Sequence, residues 1–235
     1  MLKCIAIIPA RGGSKRIPKK NIKDFHGKPI ISYTIQTALK SKLFDKVIVS
    51  TDDDEIAKIA KECGADVPFL RPKELSDDYT GIAEVIDHAI NFYKKQNIYY
   101  DYSCLLYATS PFLKVEYLYE GLEKLKNSDA KISFAATLMP FPIQRTFKIT
   151  SDNRCEMFWP EHYYSRSQDL EEAYHDAVLF SWSNLKIELK EGMIGYSYQS
   201  IPIIIPRHFV QDIDTLEDWE NAEILYSVLK SKKLI

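Results

Sequence analysis

Residues 8–21 read Ile-Pro-Ala-Arg-Gly-Gly-Ser-Lys-Arg-Ile-Pro-Lys-Lys-Asn and continue the apolar run Ile5-Ala6-Ile7-Ile8. A short, β-branched, apolar run of this kind reads as a buried strand. The turn that follows carries two adjacent glycines, Pro9 and Pro18, and the cations Arg11, Lys15, Arg16, Lys19 and Lys20. A cationic, glycine-bearing turn after a first strand is where an α/β fold grips phosphates. Gly12 and Gly13 can take φ > 0 and let backbone N–H groups face an anion. Five cations so close together repel one another unless something strongly negative sits between them, and a nucleoside triphosphate would serve. Walker A and the Rossmann Gly-x-Gly-x-x-Gly are both absent, which argues against a P-loop ATPase and a nicotinamide dehydrogenase. A solvated basic loop is the plain alternative. Against it, this loop begins at a strand end and is stiffened by two prolines.

Outward from that segment, strand-like and helix-like stretches alternate. Strands are expected at Lys3–Pro9, Lys46–Thr51, Val67–Leu70 and Tyr102–Tyr107, with helices at Ile30–Lys40, Asp54–Glu62 and Ile82–Tyr93. In the last, Ile82, Val85, Ile86, Ala89, Ile90 and Tyr93 keep helical spacing along one face. Such alternation implies a Rossmann-like α/β fold, a mostly parallel sheet with helices on both faces. Ligands then bind outside the carboxyl ends of the strands. Residues 10–21, 51–53, 71–80 and 107–111 all follow strand ends, so the fold should gather them at one rim. The pattern loosens after Leu138. Residues 139–176 hold Pro140, Pro142 and Pro160 with Phe141, Phe147, Phe158, Trp159, Tyr163 and Tyr164, and show no helical period. They read as an excursion from a main domain formed by 1–138 and 177–235, with a long surface loop as the alternative. The main domain resumes with strands at Ala177–Trp182 and Gln199–Ile205 and a helix from Leu216 to Leu229.

Asp212 and Asp214 stand two apart after the apolar stretch Ile201–Ile205. In extended backbone, residues i and i+2 point to the same side. Two carboxylates aimed at one point call for a cation, and oxygen ligands suit Mg²⁺, or Mn²⁺ as a substitute, with phosphate oxygens completing the shell. Helix capping by Asp214 or Thr215 is the structural alternative. The 235 residues suffice for one full α/β domain with a sizeable core. With a net charge of −2 and a single basic loop, nucleic acid is not an expected partner, and neither is a membrane. No apolar run approaches the roughly 20 residues of a bilayer span. Met1-Leu2-Lys3 leads straight into a strand without a signal peptide, and the expected location is cytoplasmic. Cys4, Cys63, Cys104 and Cys155 have no paired spacing and are expected to be free, buried thiols.

The wording of several segments resembles the acylneuraminate cytidylyltransferases, the CMP-sugar synthetases of the nucleotide-diphospho-sugar transferase superfamily. Besides residues 8–21, the resembling segments are Phe25–Pro29, Val47–Asp53, Phe69–Asp77, Tyr107–Pro111 and Gln211–Asp218, in family order over nearly the whole chain. Pro142–Arg145 and Arg166–Asp176 look closest to the branch that activates pseudaminic acid. The resemblance implies nucleotidyl transfer: the anomeric hydroxyl of a nonulosonic acid attacks the α-phosphorus of CTP and pyrophosphate leaves. It gives Arg11, Lys15 and Lys20 the catalytic work of cradling the triphosphate. Ala10, Gly12, Gly13, Ser14, Asn21, Arg71 and Thr80 become nucleotide contacts, with Ala10 near cytosine and Asn21 at the ribose. Asp212 and Asp214 fall where the family holds its metal. Residues 139–176 would form a β-rich dimerisation arm, making the protein a homodimer, with Gln144, Arg145, Arg166, Gln168 and His175 at the sugar. The sialic-acid branch has an arginine where this chain reads Tyr174-His175-Asp176, and a glutamine where it has Tyr107. Both departures favour pseudaminic acid, with legionaminic or neuraminic acid, or a non-catalytic nucleotide-binding homologue, as alternatives.

Overall fold

The computed structural model describes residues 2–77, 79–187 and 196–235. Strand β1 (Cys4–Pro9) is buried along nearly its whole length, as a central parallel strand covered on both faces must be. A small hairpin, β2 (Asp24–Phe25) with β3 (Lys28–Pro29), leads into helix α1 (Ile31–Ser41). Then follow β4 (Lys46–Ser50), α2 (Asp54–Glu62), α3 (Ile82–Lys94), β5 (Tyr102–Leu106), α4 (Val115–Lys126) and β6 (Ile132–Leu138). The excursion holds β7 (Phe147–Ile149) paired with β8 (Cys155–Met157) and three short 3₁₀ turns. The chain closes with β9 (Tyr174–Asn184), β10 (Ser200–Ile204) and α5 (Leu216–Ser231).

Six strands form one sheet in the order β10-β6-β9-β5-β1-β4. All are parallel except β9, which runs antiparallel to both β5 and β6. The carboxyl ends of β1, β4, β5, β6 and β10 therefore share one rim, and the reversed β9 brings its amino end, Tyr174–Asp176, to that same rim. Alternation along β1 divides the core. Cys4, Ala6 and Ile8 pack with α1, α2, α4 and α5, while Ile5 and Ile7 pack with Ile48 and the Ala89, Ile90 and Tyr93 stripe of α3. Helices thus lie on both faces, as the alternating pattern requires.

Local chemistry fixes the helix starts nearest the rim. The Asp53 carboxylate caps α2 by accepting the Glu55 and Ile56 N–H groups at 2.8 and 2.9 Å. Thr215 caps α5 in a reciprocal box with Asp218. Capping therefore falls to Thr215, and Asp214 keeps its side chain for other work.

Four sequence expectations change. Val67–Leu70 is not a strand; only single bridges, Ile48 to Asp66 and Thr51 to Leu70, tie this stretch to β4. Pro68 has no N–H to give to a ladder. Helix α4 and strand β6 emerge where no element was assigned. Neither Gly12 nor Gly13 has positive φ; among the described residues the positive-φ glycines are Gly27 and Gly64. Gly12 is needed for room instead, since a Cβ there would meet the Asp53 carboxylate at 2.6 Å. The four cysteines are free as expected, but only Cys4 and Cys104 are buried, and Cys155 is exposed on the excursion.

Candidate active site

Three clefts adjoin along the rim. The first is lined by Arg11, Ser14, Lys15, Arg16, Lys20 and Asn21 from the basic loop, by Tyr107–Thr109 after β5, and by Asp214. The loop is tied down from several sides. The Ala10 N–H donates to Ser50 O at 2.9 Å. The buried Asn21 amide donates to Arg11 O at 3.0 Å. The expected mutual repulsion of the cations is partly answered by acids: Arg16 meets Asp214 at 3.0 Å and Lys19 pairs with Glu55. Lys20 Nζ donates to Ile213 O at 2.5 Å and to Asp214 Oδ1 at 3.2 Å, joining the loop to the far wall. A cleft so lined suits a polyanion.

The second cleft shares Arg11 with the first and adds Pro9, Arg71, Leu75, Asp77, Thr80, Ile82 and Val85. Arg11 Nη1 donates to Asp77 O at 2.8 Å. Arg71 is buried, and its Nε donates to Ser76 Oγ at 3.0 Å. Thr80 is held by the Asp77 carboxylate through its N–H and its hydroxyl, both at 2.7 Å. These bonds hold the Asp77 carboxyl below the usual range. A partly apolar recess beside a buried guanidinium suits a heterocyclic base.

The third cleft lies between the ends of β6 and β10, lined among others by His175, Asp176, Arg207, His208, Gln211 and Asp212. Asp212 and Asp214 flank Ile213, which is fully buried, so both carboxylates face away from the core as the i, i+2 spacing implies. Partial desolvation and the neighbouring Asp214 raise the Asp212 carboxyl, with Lys20 opposing. Among the described residues no third His, Cys, Asp or Glu joins them in a closed cage. Two hard, like-charged oxygen donors with an incomplete shell fit a divalent cation that also takes phosphate oxygens.

Asp176 owes its position to a register break. Phe134 faces Ser181 while Ala136 faces Asp176, so β9 carries extra residues at the rim. Val178 within this bulge has φ of 52°, strained for a β-branched residue, and the Asp176 carboxylate accepts its N–H at 2.7 Å. Tyr107 stands behind it; burial first, then Asp176 and Asp212, push its phenol up to about 12.

Of the five expected sugar contacts, only His175 lines the rim clefts. Gln144 donates to Glu171 O at 3.1 Å, and Arg145 to Ser167 Oγ at 3.3 Å. Arg166 pairs with Asp169 through two nitrogens at 2.6 and 3.1 Å, and the exposed Gln168 sits in the same turn. These four cluster on the excursion. Asp52, Asp176, Arg207, His208 and Gln211 were not among the site residues expected from the sequence. His208 does pack on the Phe209 ring, yet it also lines the third cleft. The strand-end rule put residues 51–53 at the rim without singling out Asp52; Asp176 depends on a bulge that leaves no local signal.

An open α/β sheet with a cationic cleft at its first strand end and an acidic pair across it suits a nucleotide-dependent transferase. A cytidylyltransferase family profile matches residues 5–228, and the chain belongs to that family. It is 49% identical to the pseudaminic acid cytidylyltransferase of Campylobacter jejuni over 227 residues, 97% of each chain. It is 29% identical to the CMP-N,N'-diacetyllegionaminic acid synthase of Legionella pneumophila, over 95% of this chain and 96% of that one. In three dimensions it resembles a CMP:2-keto-3-deoxy-manno-octonic acid synthetase solved with CTP, with a TM-score of 0.65 at 16% identity over 96% and 98% of the two chains, a likeness of fold.

Proposed function

We propose that the protein couples CTP to pseudaminic acid, yielding CMP-pseudaminic acid and pyrophosphate. The observation that carries the reaction is the direct link from Lys20 to Ile213 O and Asp214, which joins a cationic cleft to an acidic pair. In this reading the triphosphate lies among Arg11, Ser14, Lys15 and Lys20, with the Gly12–Gly13 backbone beneath it. The base occupies the cleft of Arg71 and Thr80, close to Ala10, and Asn21 lies beside the ribose. The sugar enters the third cleft, so its anomeric oxygen approaches the α-phosphorus where the clefts adjoin. As the bond to that oxygen forms, its hydroxyl proton passes to water, the bond to the β-phosphate bridging oxygen breaks and charge passes to pyrophosphate. Arg11, Lys15 and Lys20 offset that charge, and Lys20 is already aligned by its two acceptors. Asp212 and Asp214 would hold Mg²⁺, or Mn²⁺ in its place, which would neutralise phosphate charge and acidify the attacking hydroxyl. Pyrophosphate release that requires both CTP and a nonulosonic acid tests the reaction; release from CTP alone, or none with any nonulosonic acid, contradicts it.

The choice of sugar rests on the identity to the Campylobacter jejuni enzyme and on His175. An arginine fork would clamp a carboxylate by two parallel bonds, whereas the His175 ring, whose Nδ1 lies 2.8 Å from Asp176 O, has one nitrogen left for the sugar. His175→Ala should raise KM for the sugar about tenfold, the worth of one hydrogen bond to a charged group. KM for CTP should move by less than about threefold, since other residues hold it. Steady-state kinetics on both substrates checks this, and an unchanged sugar KM removes His175 from the site.

We also propose a homodimer. Phe141, Phe147, Phe158, Tyr163 and Tyr164 are exposed on the excursion, Tyr164 at 93%, a costly surface for a monomer. Gln144, Arg145, Arg166 and Gln168 lie on the same excursion, outside the clefts of their own chain, where they could complete a partner's sugar site. Light scattering should give about twice the 27.2 kDa chain mass. A fully active monomer would contradict the arm's role. Among the described residues no helix is long and apolar enough to cross a membrane.

A further inference from the structure

Three rim segments meet at one oxygen of Asp52. Its Oδ1 accepts the Gly12 N–H at 3.0 Å and lies 3.8 Å from Nη2 of Arg71. Gly12 belongs to the basic loop of the first cleft, and Arg71 lines the second. The Arg71 side chain is only 3% exposed, and Asp52 is its one ion-pair partner among the described residues. Its other contacts are neutral: Nε donates to Ser76 Oγ, and the backbone N–H donates to Thr51 O at 2.7 Å. Burial pulls the guanidinium down and Arg11 adds to that pull, while Asp52 opposes both. A cation this deep is costly without a paired charge. The loop has no slack either, because Asp53 fills the space a Gly12 side chain would need.

We propose that Asp52 is a positioning residue that ties Arg71 to the Gly12 loop, so that base and triphosphate are gripped as one unit. This rests on assigning the two clefts to one nucleotide. Asp52 touches no substrate; it acts through Arg71. It makes CTP binding exceed what the phosphates alone supply.

Calorimetry on the full chain, with CTP and inorganic tripolyphosphate as probes, tests the proposal. Asp52→Asn keeps an acceptor for the Gly12 N–H and removes the charge facing Arg71. The CTP Kd should rise about tenfold, on the scale of one charge-assisted contact, while that of tripolyphosphate moves less than about twofold. In an Arg71→Met background, Asp52→Asn should change the CTP Kd by less than about twofold, because its route is already cut. Asp52→Glu, which retains the charge, should stay within about threefold of native for CTP. Additive effects of the two substitutions, or an unchanged CTP Kd in Asp52→Asn, overturn the proposal. So does equal loss of both probes with a lowered melting temperature in Asp52→Asn and Asp52→Glu, which marks a purely structural role. A native protein that binds CTP no better than tripolyphosphate would instead refute the nucleotide assignment of the second cleft, and this proposal with it.

Discussion

Replacing Asp212 by asparagine should lower kcat by about two orders of magnitude or more, the cost of removing one strong electrostatic group from a transfer step. The fold should survive. Asp212 and Asp214 repel one another across the buried Ile213, and the neutral amide removes that repulsion. The melting temperature is therefore expected to be equal or higher. Asp214→Asn should cost a similar loss of activity, but with a lower melting temperature, since Asp214 also pairs with Arg16 and Lys20. Chelation of divalent cations should abolish turnover of the native protein. Full activity in EDTA would remove the metal role from both residues.

Lys20→Met should be comparably severe, with kcat/KM for CTP falling about 10²-fold or more. Lys20 is largely screened from solvent, and its ammonium serves two walls at once. Its loss takes a cation from the phosphate cleft and frees the Ile213 carbonyl that anchors the acidic pair. KM for the sugar should change far less than kcat, because the third cleft has its own lining. Kinetics with each substrate varied in turn separates these outcomes. Equal effects on the two KM values, with kcat intact, would make Lys20 a structural residue only.

The amino-terminal half of the fold was legible because its signals are local. The apolar run at Ile5–Ile8, the Asp53 cap and the stripe Val85, Ala89, Ile90 and Tyr93 each specify an element unaided. Helix α4 hid because its buried face, Leu118, Gly121, Leu122 and Leu125, has a glycine at its centre. That glycine is there because Phe180 and Trp182 of β9 press against it, a contact made across the fold. Strand β6, with Ser133, Ala135, Ala136 and Thr137, carries too little bulk to read as a central strand. The cleft proposed for the nucleotide was legible in the basic loop and the Asp212–Asp214 spacing. The lining of the cleft proposed for the sugar was not, because Asp176 depends on the bulge of β9, and Arg207 and His208 on where β10 ends beside β6.

The proposed sugar substrate of this cytidylyltransferase is pseudaminic acid. The direct measurement is kcat/KM with CTP for pseudaminic and N-acetylneuraminic acids, followed by pyrophosphate release and by the mass of the CMP-sugar formed. With His175 offering the sugar one ring nitrogen where an arginine fork would offer two parallel donors, kcat/KM for pseudaminic acid should be higher by about tenfold or more, the difference one charged contact makes. Equal or better use of N-acetylneuraminic acid would contradict it.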